Sequence, residues 1–102
     1  MALTVRWTGR ARAHLRDILD YLAFDNPDAA QALARKVFAS VDRLADFPHA
    51  GRRLPELELE DAPHRERVVP PCRVIYQARG DTLLILVVLR AERRLVPQLL
   101  DH

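Results

Sequence analysis

The sequence predicts an α+β domain of two layers. An antiparallel helix hairpin covers one face of a mostly antiparallel four-stranded sheet, in the order β-α-α-β-β-β with a short C-terminal tail. Three observations carry this. Apolar residues recur at helical spacing from Ala11 to Leu22 and again from Ala30 to Leu44. The junction "DNPDAA" between them holds a helix stop and a helix start in six letters. Three runs rich in β-branched and aromatic residues then follow Pro63, with Gly80-Asp81 between the last two. At 102 residues there is material for one domain, residues 1–102, and one core.

"LTVRW" (3–7) alternates Leu3, Val5 and Trp7 with Thr4 and Arg6, the pattern of a short half-buried strand. Thr8 follows as an N-cap, its hydroxyl placed to accept from an orphan amide of the first turn. Ala11, Leu15, Ile18 and Leu22 then form one stripe, while His14, Arg16, Asp17 and Asp20 fall off it. Asn26 caps the second helix, Pro27 suits its first position, and Asp28 complements its positive dipole end. Ala30, Ala34, Val37, Val41 and Leu44 make the second stripe, which "FPHAG" stops at Pro48. "RRLPELELEDAPH" is polar, broken by proline, and reads as a loop. "RERVVP", "CRVIYQA" and "TLLILVVLR" are the last three strands; Pro70-Pro71 is expected to break pairing between the first two and confine that stretch to an edge or corner. The tail offers at most a short helical turn interrupted by Pro97.

Composition bounds the function. With 49% hydrophobic and 29% charged residues the chain is globular rather than disordered. The longest apolar run, Leu83 to Leu89, is far below the ~20 residues that span a bilayer, and arginines interrupt the N-terminus where a signal sequence would need an apolar core. Lone Cys72 forms no internal disulfide and suits a reducing compartment, so a cytoplasmic protein is expected. Net charge is +2, with 14 acidic residues interspersed among 16 basic ones, which argues against direct sequence-specific nucleic-acid binding. Lys36 is the single lysine; the arginine bias fits a GC-rich genome or a preference for bidentate contacts. Neither a cofactor nor a metal site is expected.

The run "DTLLILVVLRAERRL" (81–95) raises the question of what covers its second face. A two-residue turn at Gly80-Asp81 pairs Arg79 with Thr82 and sets the hairpin register. Cys72, Val74, Tyr76 and Ala78 then face the helices with Leu83, Ile85, Val87 and Leu89. The opposite face carries Ile75, Leu84, Leu86 and Val88, rimmed by Arg73, Arg79 and Arg90. This apolar patch reads as a surface for another protein, unless the tail (Leu95, Val96, Leu99, Leu100) folds back over it.

These residues resemble the ParE/RelE superfamily of bacterial toxins. The resemblance lies in Trp7 before the first helix, "YLAFDNPDAA" at the junction, "LADFPHAGRRLPE" after the second helix, "RVIY", and "RAERR" after the last strand. It covers nearly the whole chain and is closer to the ParE branch. It implies the toxin of a type II toxin–antitoxin pair, held in a hetero-oligomer by a ParD-like antitoxin; Ile75, Leu84, Leu86 and Val88 are the antitoxin-binding candidates. ParE-type members inhibit DNA gyrase, and RelE-type members are ribosome-dependent endoribonucleases acting on messenger RNA.

Chemistry favours the first. Cleavage through a 2′-hydroxyl needs a base, an acid and cations about the phosphate. Arg73, matching the arginine of the family's "YR", and Arg90 supply cations. Arg90, however, stands where many relatives carry histidine, and Cys72 stands where an aromatic often precedes the strand arginine. His14, His49, His64 and His102 are scattered, and Glu66 and Glu92 have arginines beside them that depress a carboxylate's pKa. The expectation is a non-enzymatic inhibitor whose target-binding candidates are Arg73, Arg90, Arg93, Arg52 and Arg53, with no catalytic residues.

Overall fold

Thr8 decides where the first strand ends and the first helix begins. In the computed structural model, which describes residues 2–57, 62–95 and 97–100, its hydroxyl accepts from the Ala11 amide at 3.0 Å and donates to the Leu86 carbonyl at 3.1 Å. β1 (Thr4–Trp7) therefore passes directly into α1 (Gly9–Asp25). Asn26 does double duty. Its amide donates to the Leu22 carbonyl to close α1, and its side-chain oxygen accepts from the Ala29 amide at 3.1 Å to open α2 (Pro27–Asp46). The helix hairpin is thus set by capping chemistry that the sequence displays openly.

Five strands form one sheet in the order β1-β5-β4-β3-β2. They are β1, β2 (Arg52–Arg53), β3 (Arg65–Val69), β4 (Cys72–Arg79) and β5 (Thr82–Arg90). β1 runs parallel to β5, and the other pairs are antiparallel. The four strands expected are joined by a fifth, because Arg52 and Arg53 pair with Glu66 and Arg65. A two-residue strand has no periodicity to display, so the segment reads as loop. Pro70 and Pro71 lie at a corner as expected but do not break the pairing of the strands they join. They occupy the turn between β3 and β4, whose ladder closes at Val69 opposite Cys72, so their missing amides cost the ladder nothing. Gly80 turns the next hairpin with φ of +60°, as the first central position of a type II′ turn requires.

The β4–β5 register starts as the turn dictates, from Arg79 opposite Thr82 to Tyr76 opposite Ile85. It then slips: Ile75 faces Val87, and Leu86 is left over as a bulge. Beyond it every side chain of β5 changes face. Val88 joins the helix-side core with Val74, Cys72 and Tyr76, while Val87 and Leu89 turn to the other side. Arg90, expected beside Arg73, stands opposite Cys72 on the helix side. The bulge also seats α1, since the carbonyls of Ile85 and Leu86 accept from the Thr8 amide and hydroxyl.

Two cores result. The helices cover one built around Ala11, Leu15, Val37, Val41, Leu44 and Ile85. The second face of the sheet is covered as well, by Leu54 and Leu57 from the segment after α2 and by Leu95 from the tail. This corrects the exposed patch: Ile75 and Leu86 are 0% and 1% exposed beneath that cover, and Leu84 is half-buried. Val88 is 1% exposed on the opposite side. Leu99 and Leu100, in a 3-10 turn (Pro97–Leu100), pack against the same cluster; Val96 lies outside the described residues. Among the described residues, no helix is long and apolar enough to cross a membrane.

Candidate functional site

Tyr76 pins the turn that follows α2. Its hydroxyl donates to the Pro48 carbonyl at 2.8 Å and accepts from the Gly51 amide at 2.9 Å. A Cβ at Gly51 would come within 2.6 Å of the Glu66 carbonyl oxygen and nearer still to the phenol, so this close approach requires glycine. Burial pushes the Tyr76 pKa up, which keeps the hydroxyl a donor. With that turn fixed, the chain enters β2 and lays Leu54, Glu56 and Leu57 over the sheet.

Arg73 lies beneath this cover, 6% exposed, and its guanidinium is occupied on every side. Nε donates to Glu66 Oε2 at 2.6 Å. Nη1 and Nη2 grip the two oxygens of Glu56 at 2.9 and 2.8 Å, and Nη1 also reaches the Arg93 carbonyl at 2.8 Å. Glu66, 1% exposed, accepts from Arg52 Nε at 2.6 Å on its other oxygen. Glu56 further accepts from the Leu95 amide at 2.8 Å. The Arg73 fork holds the Glu56 carboxyl down to about 2. Both carboxylates are therefore saturated acceptors, unsuited to the work of a general base.

Two exposed cations, Arg90 and Arg93, meet elsewhere. A groove of about 490 Å³ runs between α1 and the end of β5, lined among others by His14, Asp17, Tyr21, Val88, Arg90 and Arg93. The Arg90 guanidinium carbon sits 5.7 Å from the Tyr21 ring centroid, a cation–π arrangement, and its Nε pairs with Glu92 at 2.9 Å in the open. Residues 14, 17 and 21 share one face of α1 by helical spacing. Burial first, and the Arg10 charge second, lower the His14 pKa, so its imidazole is neutral at physiological pH. Its Nδ1 has no hydrogen-bond partner among the described residues.

The arginines singled out in the sequence thus separate into two groups. Arg90 and Arg93 are exposed at the groove. Arg52 and Arg53 are exposed on β2, the edge strand farthest from β1, and Arg73 is interred between them. Arg73 consequently offers no open contact to a target. The side chains missed were His14 and Tyr21, whose spacing on α1 was legible but whose meeting with Arg90 depends on the bulge. Cys72 is fully buried, and burial raises its pKa, leaving an inert thiol. His49 is exposed, His64 half-buried, and His102 outside the described residues. The large apolar side chains left exposed include Tyr21, Phe24 and Phe38 on the helices. Among the described residues, no three metal-ligating side chains converge.

Comparison with known proteins places this geometry. Residues 5–95 match a family model described as the ParE toxin of the type II toxin–antitoxin system parDE. Toxin RelE2 of Caulobacter vibrioides is 40% identical over 91 residues, 89% of this chain and 97% of that protein. Putative toxin Y4kP of Sinorhizobium fredii is 38% identical over 65 residues, 59% of this chain and 68% of that one. Among solved structures, the chromosomal ParDE TA system from P. aeruginosa superposes with a TM-score of 0.73. It covers 89% of this chain and 98% of that one at 23% identity, a likeness of fold.

Proposed function

The chain belongs to the ParE toxin family of type II toxin–antitoxin systems, and on that premise we propose that it arrests growth by binding DNA gyrase in the cytoplasm, without catalysis. As a toxin of this type its partner is an antitoxin, here read as ParD-like. The observation that supports a binding mode over RNA cleavage is the burial of Arg73. A ribonuclease of this superfamily needs cations open to a phosphate and an unengaged acid–base pair. The arginine matching the family's "YR" is held by Glu56 and Glu66, and these same contacts occupy the nearby carboxylates. Arg52 and Arg53 stay open on the far edge strand, and Arg90 and Arg93 stay open together in the groove, which suits an acidic protein surface.

The experiment is a plasmid supercoiling assay with purified gyrase, ATP and the antitoxin-free chain. Lost supercoiling, with cleaved DNA trapped on the enzyme, is the expected result; unimpaired supercoiling by a folded chain in excess would sink the proposal. A second reading, a ribosome-dependent messenger RNA endoribonuclease, draws on His14, a neutral imidazole in the same groove as Arg90 and Arg93, and fits the name of the Caulobacter relative. Cleaved transcripts in cells expressing the wild type, absent with His14→Ala, would establish it.

A further inference from the structure

An ionic chain, buried at Glu66, Arg73 and Glu56 and exposed at Arg52, lies on the face of the sheet opposite the helices. It runs from Arg52 to Glu66 at 2.6 Å, Glu66 to Arg73 at 2.6 Å, and Arg73 to Glu56 at 2.8 Å. As a source of stability this is a poor device, because desolvating the charges largely offsets their attraction. Apolar residues of similar size would cover Ile75 and Leu86 as well. What apolar residues cannot do is hold backbone polar groups, and the inner members of this chain hold two.

Arg73 Nη1 donates to the Arg93 carbonyl at 2.8 Å, and Glu56 Oε2 accepts from the Leu95 amide at 2.8 Å. Two further bonds complete the fastening: Ala91 N to the Pro71 carbonyl at 2.7 Å and Arg93 N to the Arg90 carbonyl at 3.0 Å. Residues 91, 93 and 95 are each tied down, and Leu95 is 4% exposed in the second core. The segment has no ladder or helix of its own at these positions. Its course is set by Pro71, Arg73 and Glu56. The Arg93 side chain therefore leaves a fixed backbone to line the groove with Arg90 and Tyr21.

We propose that Glu56 and Arg73 are positioning residues, an internal clasp that fixes residues 91–95 and so presents Arg93, beside Arg90, in a geometry ready for the target. This rests on the reading of Arg90 and Arg93 as the target-facing cations. A guanidinium on a fixed backbone loses less freedom on binding than one on a loose tail. Loosening the clasp weakens target binding although no target contact is removed.

The test uses the full chain, co-expressed with its antitoxin and then freed of it, as wild type, Glu56→Gln, Arg93→Ala and the double variant. Glu56→Gln preserves shape and gives up the charged fork. The expected result is amide exchange at Leu95 faster by about tenfold or more, with Val37 and Val41 on α2 unchanged. The dose for half-maximal growth arrest rises about tenfold in each single variant and no further in the double, because both act through one side chain. Unchanged exchange at Leu95 would overturn the clasp, and so would losses that add in the double variant, which mark a general stability effect. Arg93→Ala with wild-type growth arrest overturns the reading of the groove; a weakened Arg93→Ala beside a fully toxic Glu56→Gln overturns the clasp alone. Should Glu56→Gln not fold, Glu56→Asp, which keeps the charge but withdraws it by one methylene, carries the same comparison.

Discussion

The two faces of the sheet are covered by different physics. On one, two regular helices bring Leu15, Leu33, Val37, Val41 and Leu44 onto Val74, Ile85 and Val88, and hydrophobic burial suffices. On the other, the segment after the two-residue strand β2, with its 3-10 turn at Pro55–Leu57, and the tail supply Leu54, Leu57 and Leu95. Such short irregular segments bury little apolar area for the chain entropy they lose. They are held instead by directional contacts: Tyr76 on Pro48 and Gly51, Glu56 on Leu95, and Arg73 on Arg93. A cover with so little regular structure needs polar fastenings, and here those fastenings end at the backbone that carries the exposed Arg93 of the groove.

The sharpest way to break the comparison is Arg73→Leu. It strands Glu66, whose side chain is fully buried, leaving surface Arg52 as its partner among the described residues. Unfolding in urea should show a loss of about 3–5 kcal/mol, the cost typical of an orphaned buried charge; a loss below ~1 kcal/mol would mean the network is dispensable. Next comes Ile85→Ala on the helix side, where helices packed on a sheet relax little around a cavity. A cost of about 3 kcal/mol is expected, against about 2 for Leu57→Ala beneath a cover free to settle. Equal costs would erase the distinction between the faces.

Acid should separate the faces more gently. The Glu56 pKa, held by the Arg73 fork, is about 2 in the folded chain against an ordinary 4.5. A depressed folded-state pKa contributes stability in full above 4.5 and loses it as pH falls towards 2. Between those values exchange at Leu95 should quicken before exchange at Val37 does. Simultaneous loosening would show that Glu56 does not govern the tail.

The smallest effect on stability is expected from Arg90→Ala. Arg90 pairs with Glu92 in solvent and lies over an exposed Tyr21, so thermal unfolding should register about 1 kcal/mol or less. Growth arrest should nonetheless weaken. Full killing by this folded variant would remove Arg90 from the target surface.

Some of this was legible in the letters. Thr8, Asn26 and Pro27 announced both helices, because caps and periodicity are local and act within four residues. Gly80-Asp81 announced the hairpin and its first four pairs, again a local matter of turn geometry. The toxin family was legible as well, through the junction and the segment around Gly51, whose glycine only the Tyr76 contact explains. The groove was legible only in fragments, as a stripe on α1 and a pair of arginines far along the chain.

The sequence by itself determined the helix hairpin and the four strands other than β2. Tertiary structure decided which way their side chains face and which of them stay open to a partner. One bulge residue, Leu86, moved Val88 into the helix-side core and carried Arg90 from Arg73 to Tyr21. A strand with period two cannot record such a slip, because apolar residues on both its faces satisfy either register. The cover over Ile75 and the sealing of Arg73 were likewise decided between segments about 20 to 40 residues apart. Those contacts arise from charge and backbone polarity meeting across the fold, and no local pattern in the chain encodes them.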